Sequence, residues 1–151
     1  MNDYTKEQID KLQSSLEAIR KAGGWTAEEF GEMIGVTKQT IRNLENKTTT
    51  MTKTQYIAIR SVLDYEAKEN PDNKLLNDIV QYLLDSENLS EEEKTKATSA
   101  IAYVTGAKSS GIDRKTMAVV VGSILGVAAG AFLTSKGLGK NTGSWLKKLF
   151  K

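Results

Sequence analysis

"GVTKQTIRNLENK", residues 35–47, is a polar run with only three bulky apolar residues, Val36, Ile41 and Leu44. Ile41 and Leu44 are three apart, so on a helix they share one face with Val36 at its entry. Lys38, Gln39, Arg42 and Asn43 then point the other way. Such a pattern is either a surface helix of a bundle or a helix whose outer face reads a partner. The surrounding chain decides between them.

Before and after this stretch, helix starts recur at short intervals. "YTKEQIDKLQSSLEAIRKAGG" offers Thr5 and Gln8 as a capping box, Tyr4 and Ile9 as a staple, and Gly23-Gly24 as a stop. Thr26 and Glu29 form a second box, with Trp25 and Phe30 as its staple, and Gly35 ends that short helix. Thr37 caps the quoted stretch, with Val36 stapled onto Ile41. Thr52 and Gln55 open a fourth helix with a Met51–Tyr56 staple, which runs to the break at Asn70-Pro71. Two short helices joined around one glycine make a helix-turn-helix. Further on, "DNKLLNDIVQYLLDSE" and "SEEEKTKATSAIAYVTG" each read as a helix, the second with Ser90 and Glu93 as its box.

Composition narrows the function. The chain has 151 residues, one proline, no cysteine and no histidine. A disulfide, a thiol nucleophile, a serine triad and a thiolate or imidazole metal site are therefore all excluded. The acidic run "ENLSEEE" lacks calcium-loop spacing and sits at a helix start, where negative charge is favourable anyway. No enzyme, metal, cofactor or small-molecule ligand is expected. No apolar segment opens the chain, so no secretory signal is expected, and the absence of cysteine fits a reducing compartment.

A recognition helix must project short polar and cationic side chains from its first turns while its back packs on the preceding helix. Gln pairs with adenine, Arg or Lys with guanine, and a Thr methyl meets thymine. Lys38, Gln39, Thr40, Arg42 and Asn43 meet that requirement, and no acid occupies the outward first turn. "TAEEFGEMIGVTKQTIRNLENK" resembles the Cro/CI-type, or Xre, helix-turn-helix regulators, over residues 5 to about 64. The resemblance implies base contacts from Lys38, Gln39, Arg42 and Asn43, beside the capping Thr37 and Thr40. It also implies phosphate contacts from Thr26, Asn46 and the loop with Lys47, and a structural Glu45 holding the helix pair. Three positions depart from the family pattern. Ala27 replaces a frequent glutamine, Gly31 a usual alanine, and Lys47 a frequent glycine.

The tail differs in kind. All nineteen acidic residues precede position 116, where sixteen Lys and Arg leave a net −3, whereas residues 116–151 carry five lysines and no acid. "TMAVVVGSILGVAAGAFLTSK" is uncharged from Thr116 until Lys136, close to the roughly 20 residues of a membrane span. Ala118, Gly122, Gly126, Gly130 and Thr134 recur every four residues, a small-residue stripe suited to close helix packing. "SWLKKLFK", with Trp145 as its anchor, reads as an interfacial segment. Five lysines beyond a single span would oppose the positive-inside tendency, which a re-entrant or surface-lying tail avoids.

The expected fold is all-α. A Cro/CI repressor-like bundle over 1–70 is followed by a helical extension over 71–106 and a linker over 107–115. A glycine-striped hydrophobic helix over 116–135, transmembrane or oligomerising, and a basic amphipathic tail over 136–151 complete it. The expected function is a sequence-specific regulator of repressor type that binds double-stranded DNA as a homodimer or higher oligomer. Its DNA-binding domain is expected in the cytoplasm, membrane-associated through the tail. Two alternatives stay open: a pore-forming effector controlled through its helix-turn-helix, and a soluble repressor oligomerised by its tail.

Overall fold

Every regular element among the described residues of this computed structural model is helical; those residues are 2–86, 89–107, 113–126 and 144–150. The order is α1 (Asp3–Gly23), α2 (Ala27–Ile34), α3 (Lys38–Glu45), α4 (Lys53–Glu69), α5 (Lys74–Val80), a π-helical turn (Gln81–Asp85), α6 (Glu91–Ala107), α7 (Arg114–Leu125) and α8 (Ser144–Leu149).

Local side-chain chemistry opens most of them. Capping boxes begin α2 (Thr26 with Glu29) and α4 (Thr52 with Gln55). Ser90 and Glu93 make the same reciprocal pair ahead of α6. Helix α1 is the exception. It starts at Asp3 with Asn2 as its cap, the Asn2 Oδ1 accepting from the Thr5 amide at 2.7 Å. Thr5 lies buried inside the helix, so the expected Thr5–Gln8 box is not the cap; Asn2 satisfies the orphan amides earlier in the chain.

Helix α1 is the axis of the fold, packing against α3, α4, α5 and α6. Ile9, Leu12, Leu16 and Ile19 are buried at helical spacing and join one core with Phe30, Ile41, Leu44, Ile59, Leu63 and Leu75. That core continues without a break into Val104 of α6 and Val121 of α7. The extension therefore shares its hydrophobic interior with the helix-turn-helix. Lys21 of α1 also donates to the Thr105 carbonyl of α6 at 2.8 Å.

The tail departs from expectation in two ways. Helix α7 begins at Arg114, capped by Asp113, and stops at Leu125. Gly126 adopts φ 74°, and its amide turns back to the carbonyls of Gly122 and Ser123. Glycine enters this left-handed conformation without the Cβ penalty, so it ends the helix instead of extending it. The stripe through Ala118, Gly122 and Gly126 is thus not a continuous helical face over 116–135; Gly130 and Thr134 lie outside the described residues, as do 108–112 of the expected linker. Met117, Val121 and Leu125 are buried, and α7 packs against α5 and α6. No helix among the described residues is long and apolar enough to cross a membrane.

The second departure is Trp145. Its side chain is only 7% exposed and packs on α4 instead of being offered to an interface with lipid. Its indole N–H donates to Asp64 Oδ2 at 2.6 Å, the Tyr56 ring meets it edge-on at 5.8 Å, and the Arg60 guanidinium lies 5.3 Å from its centroid. Arg60, itself buried, reaches the π-helical turn as well, donating to Asp85 Oδ1 at 2.8 Å. Burial pushes the Tyr56 hydroxyl up to about 12, against the opposing charge of Arg60, so the ring stays neutral in this cluster.

Candidate nucleic-acid interface

Helices α2 and α3 meet at a turn that leaves almost no room. Gly35 takes φ 80° as the cap of α2, and the Val36 amide donates to the Gly31 carbonyl at 2.8 Å. A Cβ on Gly31 would stand 2.6 Å from the Val36 carbonyl oxygen. Gly31, which helix propensity alone disfavours, is there because the backbones of the two helices approach too closely for alanine.

Helix α3 shows two different sides. Ile41 and Leu44 are fully buried against the core, whereas Lys38, Gln39 and Arg42 are exposed and Thr40 and Asn43 half-buried. Thr37 caps the helix through the Thr40 amide, and its hydroxyl also lies 3.0 Å from that of Thr40. Gln39 Nε2 donates to Asn43 Oδ1 at 3.0 Å, tying two outward amides together. A side-chain amide of this kind can offer a base edge paired donor and acceptor groups.

What holds this face is set behind it. Arg20 of α1 grips Glu45 with two bonds, Nε to Oε2 at 2.6 Å and Nη2 to Oε1 at 3.1 Å, and donates to the Trp25 carbonyl at 3.0 Å. Glu45 is therefore structural, but it anchors α3 to α1 through an arginine that also holds the entry to α2. The pair is nearly buried and bidentate, a geometry that fixes orientation as well as contributing energy.

Gln13 does the same for the loop beyond α3. Its amide donates to the carbonyls of Leu44 (3.0 Å) and Thr49 (2.7 Å), and its oxygen accepts from the Met51 amide at 3.0 Å. Neither Gln13 nor Arg20 stands out in the sequence, since both act across more than twenty residues. Thr5, Gln8 and Ser15 of α1 are buried as well, so a polar residue on the buried side of α1 does not single these two out.

The loop carries Asn46 and Lys47, both exposed. Lys47 has φ 60° and closes α3 as a full Schellman turn, its amide to the Leu44 carbonyl and the Thr48 amide to that of Asn43. A lysine thus occupies a left-handed position normally given to glycine. At the other end, Arg20, Lys21, Thr26, Lys38 and Arg42 line an open recess of about 400 Å³ beside the N-terminus of α2. The cations and the positive end of the α2 dipole suit a phosphate there, although Glu28 on the rim opposes it. Ala27 is buried and offers no polar group, so the backbone contact of a glutamine has no counterpart.

Thus Thr26, Thr37, Lys38, Gln39, Thr40, Arg42, Asn43, Asn46 and Lys47 all fall on α3 or its two flanks. Of the expected membrane and oligomerisation residues, Ala118 and Gly122 lie on α7, Gly126 caps it and Trp145 packs on α4, while Gly130 lies outside the described residues. Among the described residues no acidic cluster could hold a metal ion.

Residues 16–70 match the family model described as helix-turn-helix, of the Xre or Cro/CI type. No curated protein and no solved structure matches the chain.

Proposed function

We propose, from the helix-turn-helix match over residues 16–70 and the geometry of α3, that the protein is a sequence-specific, double-stranded-DNA-binding transcriptional regulator. Helix α3 enters the major groove. Lys38, Gln39, Arg42 and Asn43, with the Thr40 methyl, read base edges. Thr26, Thr37, Asn46 and Lys47 fix the register on phosphates at the two ends of the helix. The observation that carries this reading is the acid-free, exposed first turn of α3, backed by the buried Arg20–Glu45 pair and the Gln13 clamp. Such a face is held in position before any ligand arrives, which lowers the ordering cost of binding.

One domain presents a small surface, so tight binding takes two copies on half-sites one helical turn apart, roughly 34–36 Å. The test begins by selecting the preferred duplex from a random pool. Gln39→Ala or Arg42→Ala should then cost roughly 1–3 kcal/mol on that site and relax preference at one base pair. Equal weakening on all sequences would refute the base-reading role. A footprint confined to one half-site at full affinity would refute the dimer.

A further inference from the structure

Lys53, Tyr56, Arg60 and Asp64 recur every three or four residues and so form one stripe along α4. Helix α8 rests on that stripe. Trp145, near its start, meets Asp64, Arg60 and Tyr56, while Phe150, just past its end, lies 5.3 Å from Lys53 Nζ. The contacts run in opposite order along the two helices, so α8 is antiparallel to α4. Its C-terminal end lies beside the first turn of α4, which directly follows the Asn46–Thr52 loop. Lys147 and Lys148 are exposed, while Trp145 and Leu149 are buried beneath them.

Two observations give this arrangement a purpose. A solvated basic tail needs no anchor, yet this one has a buried indole bonded to a carboxylate and ringed by an arginine and a tyrosine. And the matched segment 16–70 carries eight acidic and eight basic residues, no net charge with which to hold a polyanion. The tail from 116 onward supplies five lysines and no acid.

We propose that α8 is an auxiliary phosphate-binding element. Docked on α4 by Trp145, it carries Lys147 and Lys148 to the DNA backbone flanking the bases read by α3. The ligand is the phosphodiester backbone, so these contacts add affinity without sequence preference. Trp145 is a positioning residue that holds the lysines at the edge of the interface. This inference rests on the DNA-binding reading above.

The test uses the full chain, with fluorescence anisotropy on the selected duplex and on a scrambled one between about 50 and 200 mM salt. Each lysine–phosphate contact contributes about 0.9 to the slope of log K against log salt, so K147Q/K148Q should flatten it by about 1.8 per bound protomer. The ratio between the two duplexes should not change. Trp145→Ala keeps both lysines but frees them from α4, and should flatten the slope to a similar degree. The two glutamine substitutions are on exposed residues and leave the core intact, so the result does not hinge on the tryptophan variant folding. An unchanged slope in K147Q/K148Q overturns the proposal. So does a wild-type slope in a folded Trp145→Ala protein, because the lysines would then act without the anchor. So, too, does lost binding to phosphatidylglycerol vesicles in K147Q/K148Q with the DNA slope intact, which would assign the lysines to a lipid surface. Failure of the wild-type protein to bind any duplex would remove the DNA-binding reading itself.

Discussion

Asp78 of α5 is 1% exposed, and neither carboxylate oxygen accepts a hydrogen bond from the described residues. Burial pushes its pKa up from 3.8 to about 6, with Lys74 opposing only in part. A displacement of about two pH units at about 1.4 kcal/mol each amounts to about 3 kcal/mol of destabilisation when the group is ionised. The sign follows from proton binding. Between pH 3.8 and about 6 the folded state holds this proton and the unfolded state does not. Stability therefore falls as pH rises through that window, and the loss is complete above it. Asp78→Asn, whose amide stands in for the protonated acid, should leave stability at about pH 3 nearly unchanged and raise it at about pH 7.5 by up to about 3 kcal/mol. In a chain of this size that corresponds to a melting-point gain of roughly 6–12 °C. Urea titrations of both proteins across the range give the difference directly, and titrations of other groups cancel in it. A difference that does not vary with pH, or one that shrinks as pH rises, would show that Asp78 finds compensation in the folded state and would refute the reasoning.

Two other substitutions test the geometry of the helix-turn-helix. Lys47→Gly removes a lysine from φ 60° and should stabilise the fold by roughly 0.5–1 kcal/mol in urea, net of the greater freedom glycine has when unfolded. The same change should weaken DNA binding and reduce its salt slope by about 0.9, since a phosphate-facing charge is lost. Gly31→Ala improves helix propensity by roughly 1 kcal/mol, but its methyl would meet the Val36 carbonyl; overpacking of this kind costs about 1–3 kcal/mol. A net loss of stability together with weaker DNA binding is expected, and a stabilised variant with full affinity would show that the turn can open without consequence.

Much of this protein was legible one helical turn at a time. The boxes at Thr26–Glu29, Thr52–Gln55 and Ser90–Glu93, the cap at Thr37 and the stop at Gly35 are interactions within three or four residues, so the order of types along the chain is enough to reveal them. The division of α3 into a buried and an exposed side is equally local, because helical periodicity alone assigns it. Thr5–Gln8 shows the limit of such reading: the pattern is present, but Asn2 caps the helix three residues earlier. What only the tertiary structure decided joins residues far apart in the chain. Arg20 reaches Glu45 across 25 positions, Gln13 reaches the loop across 31 to 38, and Trp145 reaches Asp64 across 81. Local spacing contains no trace of these pairs, because they form only when burial of the shared core brings α1, α4 and the tail together. The same holds for the small-residue stripe. Its period is in the sequence, but a glycine can either continue a helix or end it in the left-handed conformation. At Gly126 the chain ends the helix, and α7 lies packed on α5 and α6.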